Sequence, residues 1–273
     1  MSPPDRRPRP SGPARPARPA RGAAAYSPPA AAGAVAASFT YALRACLPRR
    51  RRLGLLLPAL GALMFGLLAR AVVADTAEEA FATVAAAGLF SIILPIGCLV
   101  IGDAVLGAEV RSGTLHFSWL SPVARWTIVA GRWLAGTVAA AAVLGTACAL
   151  AAVLAGASSM AGPMFVAAVT ASGAYVALFV MFGALARRAV VWSLAAVVLG
   201  ERLLGAALDG IAQLSPGWLG RAAFAGLAGA EDLVRAGVPE GGAAVWRLVV
   251  LTAVWLGVAA WRLGTLRLAG RSD

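Results

Sequence analysis

Lysine is missing from the sequence altogether: all 24 basic residues are Arg. That removes any Walker A phosphate loop with its Lys, any Schiff-base Lys and any Lys general base from these residues. Histidine is nearly missing too, with His116 alone, and Cys46, Cys98 and Cys148 are scattered without paired spacing. Four such residues do not make a His- or Cys-based metal site, and each Cys reads as a small apolar filler in or beside an apolar segment. Acids number only 12 and never cluster as a metal-dependent membrane enzyme requires; Asp209-Gly210 has no companion acids. An intramembrane protease or a lipid head-group transferase, which needs paired His with Glu or grouped Asp, therefore lacks its parts. Charge is scarce overall. Only 13% of residues are charged against 60% hydrophobic, with 31 Gly, so the bilayer is the expected solvent.

The net charge of +12 is not spread along the chain. Residues 1–52 carry eleven Arg against Asp5 alone, and the remainder is nearly neutral. The first 33 residues are rich in Pro, Ala and Arg, bury too little apolar area to fold, and with Tyr26 as their one aromatic lack a stacking platform for bases. They read as a disordered cytoplasmic tail that is solvated or lies against anionic lipid, with no nucleic-acid partner. Within 34–47, Val35, Phe39, Leu43 and Leu47 recur at helical spacing ahead of Pro48, which predicts an interfacial helix.

Six apolar stretches follow, at about 53–74, 81–101, 126–154, 164–186, 189–208 and 244–261. The first follows Arg49 to Arg52 in the order of a secretory signal, but the basic region is long and further spans come after it, so an uncleaved span is expected. Arg187 and Arg188 divide the fourth stretch from the fifth, because adjacent charges in hydrocarbon are costly. The fold class expected is an all-α integral membrane protein of six transmembrane helices, as one domain over 34–273. With the amino terminus inside, 19 of the 24 Arg fall on the inner side and most acids outside. The positive-inside rule then places both termini in the cytoplasm.

The richest segment joins the second and third stretches and reads GDAVLGAEVRSGTLHFSWLSPVARWTIVAGR over 102–132. Gly113 followed by Thr114 fits a helix break and the N-cap of a short helix through Leu120. Ser121 then Pro122 fits the cap and first position of the third span. Leu115, Trp119 and Leu120 make its apolar side, while Glu109, Arg111, His116 and Arg125 lie nearer water. This loop resembles that of type-2 ATP-binding cassette (ABC) permeases: a Glu, three residues, Gly-Thr-Leu, an apolar turn, Pro, two residues, Arg, and a later basic residue. Glu109, Gly113, Thr114, Leu115, Trp119, Leu120, Pro122, Arg125 and Arg132 stand in that order, with Arg132 where the family usually has Lys.

The resemblance extends more weakly over 34–267. It implies a coupling helix, formed by Glu109, Arg111, Gly113, Thr114, Leu115, Trp119, Leu120, Pro122 and Arg125, that docks on a separate ATPase subunit. It further implies two ATPase copies holding ATP and Mg, a second permease subunit in a homo- or heterodimer, membrane lipid around both, and an exporter in the inner (cytoplasmic) membrane. No catalytic residue or cofactor is expected in this chain. A membrane anchor or assembly factor is the competing reading.

Between the fifth and sixth stretches, 209–242 is too apolar for a free loop and too interrupted for a span. Ser215-Pro216 can cap a short helix, and Gly217, Gly220, Gly226 and Gly229 permit close packing and a bend. Family resemblance implies short re-entrant helices there; an interfacial helix lying flat is the alternative. Just before it, Glu201 and Arg202 would cost at least about 2.5 kcal/mol each if isolated in hydrocarbon. They either line a translocation path or dimer seam, or mark an early end of the fifth span at the headgroups.

Overall fold

The computed structural model describes residues 31–46, 49–72, 74–107, 123–186, 188–230 and 237–265. Among these every regular element is helical. Helix α1 is Ala31–Cys46, α2 Arg49–Ala69, α3 Ala77–Val105, α4 Arg125–Ala155, α5 Ala161–Leu185, α6 residues 189–207, α7 Pro216–Ala228 and α8 Gly241–Thr265. Four of them, α3, α4, the 158–185 helix containing α5, and α8, are long and apolar enough to cross a membrane. The apolar parts of α2 and α6 are shorter, Leu53–Ala69 and Ala189–Glu201. All six apolar stretches of the sequence thus become helices, at somewhat different bounds. The first ends at Ala69 rather than 74, where Arg70, Ala71 and Val72 close a turn onto Leu67, Leu68 and Ala69. The second starts earlier, because Thr76 caps it: its Oγ1 accepts the Glu79 amide at 3.1 Å, one half of a Thr-x-x-Glu capping box.

Helix α5 is the axis. It buries Met164, Ala168, Ala171, Gly173, Tyr175, Val176, Phe179 and Val180 among others, so nearly every face meets protein. Its many Ala and Gly residues permit that, since short side chains let neighbouring backbones approach where lipid supplies no hydrophobic drive. Trp133 of α4 donates its indole N–H to the Gly173 carbonyl at 2.9 Å, which pairs the one polar atom of a large apolar side chain. Helix α2 packs on the second half of α4, with Gly66 directly against the Ala151 backbone. It leaves Leu56, Leu57, Leu60, Met64, Leu67 and Leu68 exposed on its far side. Helix α8 likewise buries Ala244, Leu248, Thr252, Ala259 and Leu263 and turns Trp246, Val250, Val254 and Trp261 outward.

Helix α6 is attached by one narrow line. Ala189, Ser193, Val197 and Glu201 are buried, four residues apart, while Val191, Trp192, Val198, Leu199 and Leu203 are exposed. A repeat of four drifts around an ordinary helix of 3.6 residues per turn. Here Ala196–Leu204 is a wider, π-type coil, closed at its end by the Gly205 amide on the Gly200 carbonyl, and the wider turns keep the line on one side.

Candidate functional site

Two constellations stand out, one at each level of the bundle. The first is built where the ends of several helices converge. Helix α4 opens at Arg125, with Ala124 extended as its cap, rather than at Ser121-Pro122 as the sequence led one to expect. Thr127 explains the later start locally: its amide and its hydroxyl both donate to the Ala124 carbonyl, at 3.0 and 2.6 Å. Arg125 sends Nη1 to the carbonyls of Leu263 (3.0 Å) and Gly264 (2.7 Å), in the last turn of α8. A cation there meets the negative end of the helix dipole. Two turns further, Arg132 is 2% exposed and donates to the Val105 carbonyl at the end of α3 at 3.4 Å.

Helix α1 docks on the same corner. Ser38 Oγ donates to the Ile128 carbonyl at 3.1 Å. A Cβ at Gly131 would stand 2.7 Å from the Val35 carbonyl oxygen and from Ser38 Cβ, so glycine is what lets α1 lie this close. The helix predicted over 34–47 is thus present over 31–46, packed through Ala34, Ala42, Cys46 and its Phe39 and Leu43 side. Of the loop residues singled out by sequence, Arg125 is placed in this corner. Glu109, Arg111, Gly113, Thr114, Leu115, Trp119, Leu120 and Pro122 lie outside the described residues.

The second constellation surrounds Glu201. Its carboxylate is buried, 8% exposed, and takes the Tyr175 hydroxyl on Oε2 at 2.5 Å and the Gly217 amide on Oε1 at 3.4 Å. Its main-chain carbonyl accepts the Trp218 indole N–H at 3.2 Å. Three elements meet here: the middle of α5, the wide coil of α6 and the first turn of α7. The helix expected at Ser215-Pro216 forms as read, Ser215 Oγ accepting the Trp218 amide at 3.2 Å and Pro216 standing in the first turn. The orphan donors of that turn are therefore fully accounted for. Pro216 has none, Gly217 reaches Glu201, and Trp218 reaches Ser215. A carboxylate at a helix N-terminus is also favoured by the dipole.

Helix α7 is held on its other sides by apolar contact. Phe224 meets Phe81 edge-on at 6.1 Å between centroids and Phe90 at 6.0 Å, both from α3. Arg221 donates to Ser91 Oγ at 3.1 Å and lies 4.7 Å over the Trp218 ring. Gly229, at φ +71°, ends the helix in the left-handed conformation, and Gly226 lies against the Gly241 backbone at the start of α8. Beyond it, Arg247 of α8 donates to Gln213 Oε1 at 2.7 Å, and Gln213 donates to the Gly237 carbonyl at 2.7 Å, tying the stretch ahead of α8 to that helix.

Sequence reasoning found Glu201 but none of its partners. Tyr175 is one aromatic in an apolar run, and nothing in its neighbourhood marks it. Arg202 follows Glu201 in the same coil, and its side chain is outside what the structure describes. Helical phase past Glu201 continues to Ala207, so the fifth apolar helix does not stop at the carboxylate. Among the described residues no group of three or more His, Cys, Asp or Glu is placed to hold a metal ion.

A bundle of apolar helices with small-residue packing, outward-facing Leu, Val and Trp, and a buried carboxylate defines a multi-pass membrane protein. A family model described as ABC-2 family transporter protein matches residues 53–265, and the chain belongs to that family. It is the membrane permease of an ABC transporter. None of the curated proteins compared with it matches the sequence.

Proposed function

We propose that the chain is the six-span permease subunit of an ABC exporter in the inner (cytoplasmic) membrane, with both termini in the cytoplasm, driven by ATP hydrolysis in two copies of a separate ATPase that hold the ATP and Mg. Family membership over 53–265 carries the reading, because that range takes in the entire loop whose spacing resembles a coupling helix. The loop over 109–125 docks on the ATPase, and the corner around Arg125 is where its displacement enters the bundle. A second permease subunit, identical or different, completes the path. Helix α6 lies along that seam, which agrees with its attachment by a single buried line and its exposed Val191, Trp192, Val198 and Leu203. Glu201 and Arg202 then sit beside the path. Helix α7, with its first-turn amides taken up by Glu201 and Ser215, acts as the re-entrant outer lid, since such a segment is tolerated at membrane depth where protein or a watery cavity satisfies its backbone.

The test is purification of the tagged permease from native membranes, followed by ATPase measurement in lipid nanodiscs. The expected result is an ABC ATPase that co-purifies. Replacing Glu109 and the Gly113-Thr114-Leu115 turn should abolish stimulation of its hydrolysis by the permease. No associated ATPase, or unchanged stimulation in the variant, overturns the reading. Labelling of Arg111→Cys by an impermeant thiol reagent from outside the cell would overturn the topology.

A further inference from the structure

Arg125 of the loop motif joins the start of α4 to the end of α8. Arg125 spans 138 and 139 residues of sequence to two successive carbonyls at the end of α8. Both bonds leave from Nη1, whose two N–H groups take one carbonyl each, and each charge-assisted bond is about twice as strong as a neutral one. The first two turns of α4 also hold α1 through Ser38 and Gly131, and α3 through Arg132. They form a hub on which the middle of α1 and the ends of α3 and α8 are fastened.

Helix α8 packs its buried face on α5 and α7, and among the described residues its outward face, with Trp246, Val250, Val254 and Trp261, is exposed. At its far end it packs along α7, with Gly241 against Gly226, and Arg247 reaches Gln213. A shift of α8 at the Arg125 end therefore arrives at the lid helix that Glu201 holds.

We infer that Arg125 is a positioning residue that clamps the inner end of α8 to α4, so that displacement of the loop ahead of it moves α1, α4 and α8 as one body. The inference rests on the coupling-loop reading above. It differs from that reading in naming the helix moved and the side chain that moves it.

The experiment uses the complete permease–ATPase complex in nanodiscs, with Cys46, Cys98 and Cys148 replaced by Ala. Spin-label pairs report α4 (Leu134→Cys with Leu57→Cys) and α8 (Trp261→Cys with Leu57→Cys), measured by pulsed electron resonance before and after trapping with ATP and vanadate. In the wild-type background both distances shift. In Arg125→Ala the α4 pair still shifts and the α8 pair does not. Arg125→Lys keeps a charge near the end of α8 on a shorter side chain without the rigid guanidinium plane, so it folds even where Ala does not, and it separates the two shifts to a smaller extent. Both pairs shifting together in Arg125→Ala and Arg125→Lys overturns the clamp. So does loss of both shifts in these variants, which would leave Arg125 acting only through the ATPase contact and not on α8. If neither pair shifts in the wild-type background, the coupling-loop reading itself fails, and the clamp with it.

Discussion

Tyr175 in the middle of α5 and Glu201 in the wide coil of α6 share a hydrogen bond of 2.5 Å inside the bundle. Twenty-six residues of sequence separate them, and the bond joins two neighbouring helices at the point where α7 begins. A carboxylate in a low-dielectric interior is tolerated only when its oxygens are taken up, and here a hydroxyl, a backbone amide and a helix N-terminus share that task.

Tyr175→Phe removes the donor and leaves the acceptor buried. It should lower stability by about 1.5–3 kcal/mol, the range for a hydrogen bond to a charged group. Glu201→Ala should cost more, because it also strips the first turn of α7. Thermal unfolding in nanodiscs, followed by tryptophan fluorescence, checks both. In a double-mutant cycle Tyr175→Phe should add little once Glu201→Ala is present; full additivity would show that the two side chains do not interact.

Gly217 is the tightest point of this cluster. A Cβ there would stand 2.7 Å from the Tyr175 hydroxyl oxygen and 3.0 Å from Glu201 Oε2. Gly217→Ala should therefore destabilise by roughly 1–3 kcal/mol, the usual cost of overpacking. Gly210→Ala meets nothing within 4 Å and serves as the matched control, with little change expected. Equal melting temperatures for the two variants would refute the packing argument.

Ser215→Ala removes the cap of α7 and should cost about 1 kcal/mol. The effect should be local, so amide exchange at Gly217 and Trp218 should accelerate while exchange in the core of α5 stays as it was. Acceleration spread evenly over the bundle would contradict a capping role.

Gly131→Leu should push α1 from its seat, because the space beside Gly131 is filled by the Val35 carbonyl and Ser38. The measurement is labelling of Ser38→Cys by a water-soluble maleimide in detergent-solubilised protein. Slow labelling is expected while Gly131 is in place, and several-fold faster labelling once Gly131→Leu is added; identical rates would mean that α1 is not held at this site.

How much of this was legible beforehand depends on the range of the interaction involved. The six apolar stretches, the helix ahead of them and the cap at Ser215-Pro216 were readable because each signal lies within a few residues: hydropathy over a span's length, a fourfold recurrence, a capping side chain next to Pro. Two local signals were there and passed over. The Thr-x-x-Glu box at Thr76 would have placed the start of α3, and the run Ala189, Ser193, Val197, Glu201 would have shown one side of α6. The start of α4 was misplaced toward Pro122, since Pro's fitness for a first turn says nothing of how Thr127 fastens the chain to Ala124.

By itself the sequence determined the solvent, since a chain with 60% hydrophobic residues and 13% charged ones has no stable home in water. It also determined the helical class, because backbone groups in hydrocarbon must be satisfied within their own segment or in a closed sheet. Only the tertiary structure decided that Arg125 reaches α8 and that Glu201 meets Tyr175 and Gly217. Those bonds join residues whose separation along the chain carries no periodicity, and they exist because helix packing brings a long side chain within reach of a carbonyl or an amide that nothing nearby in sequence could supply.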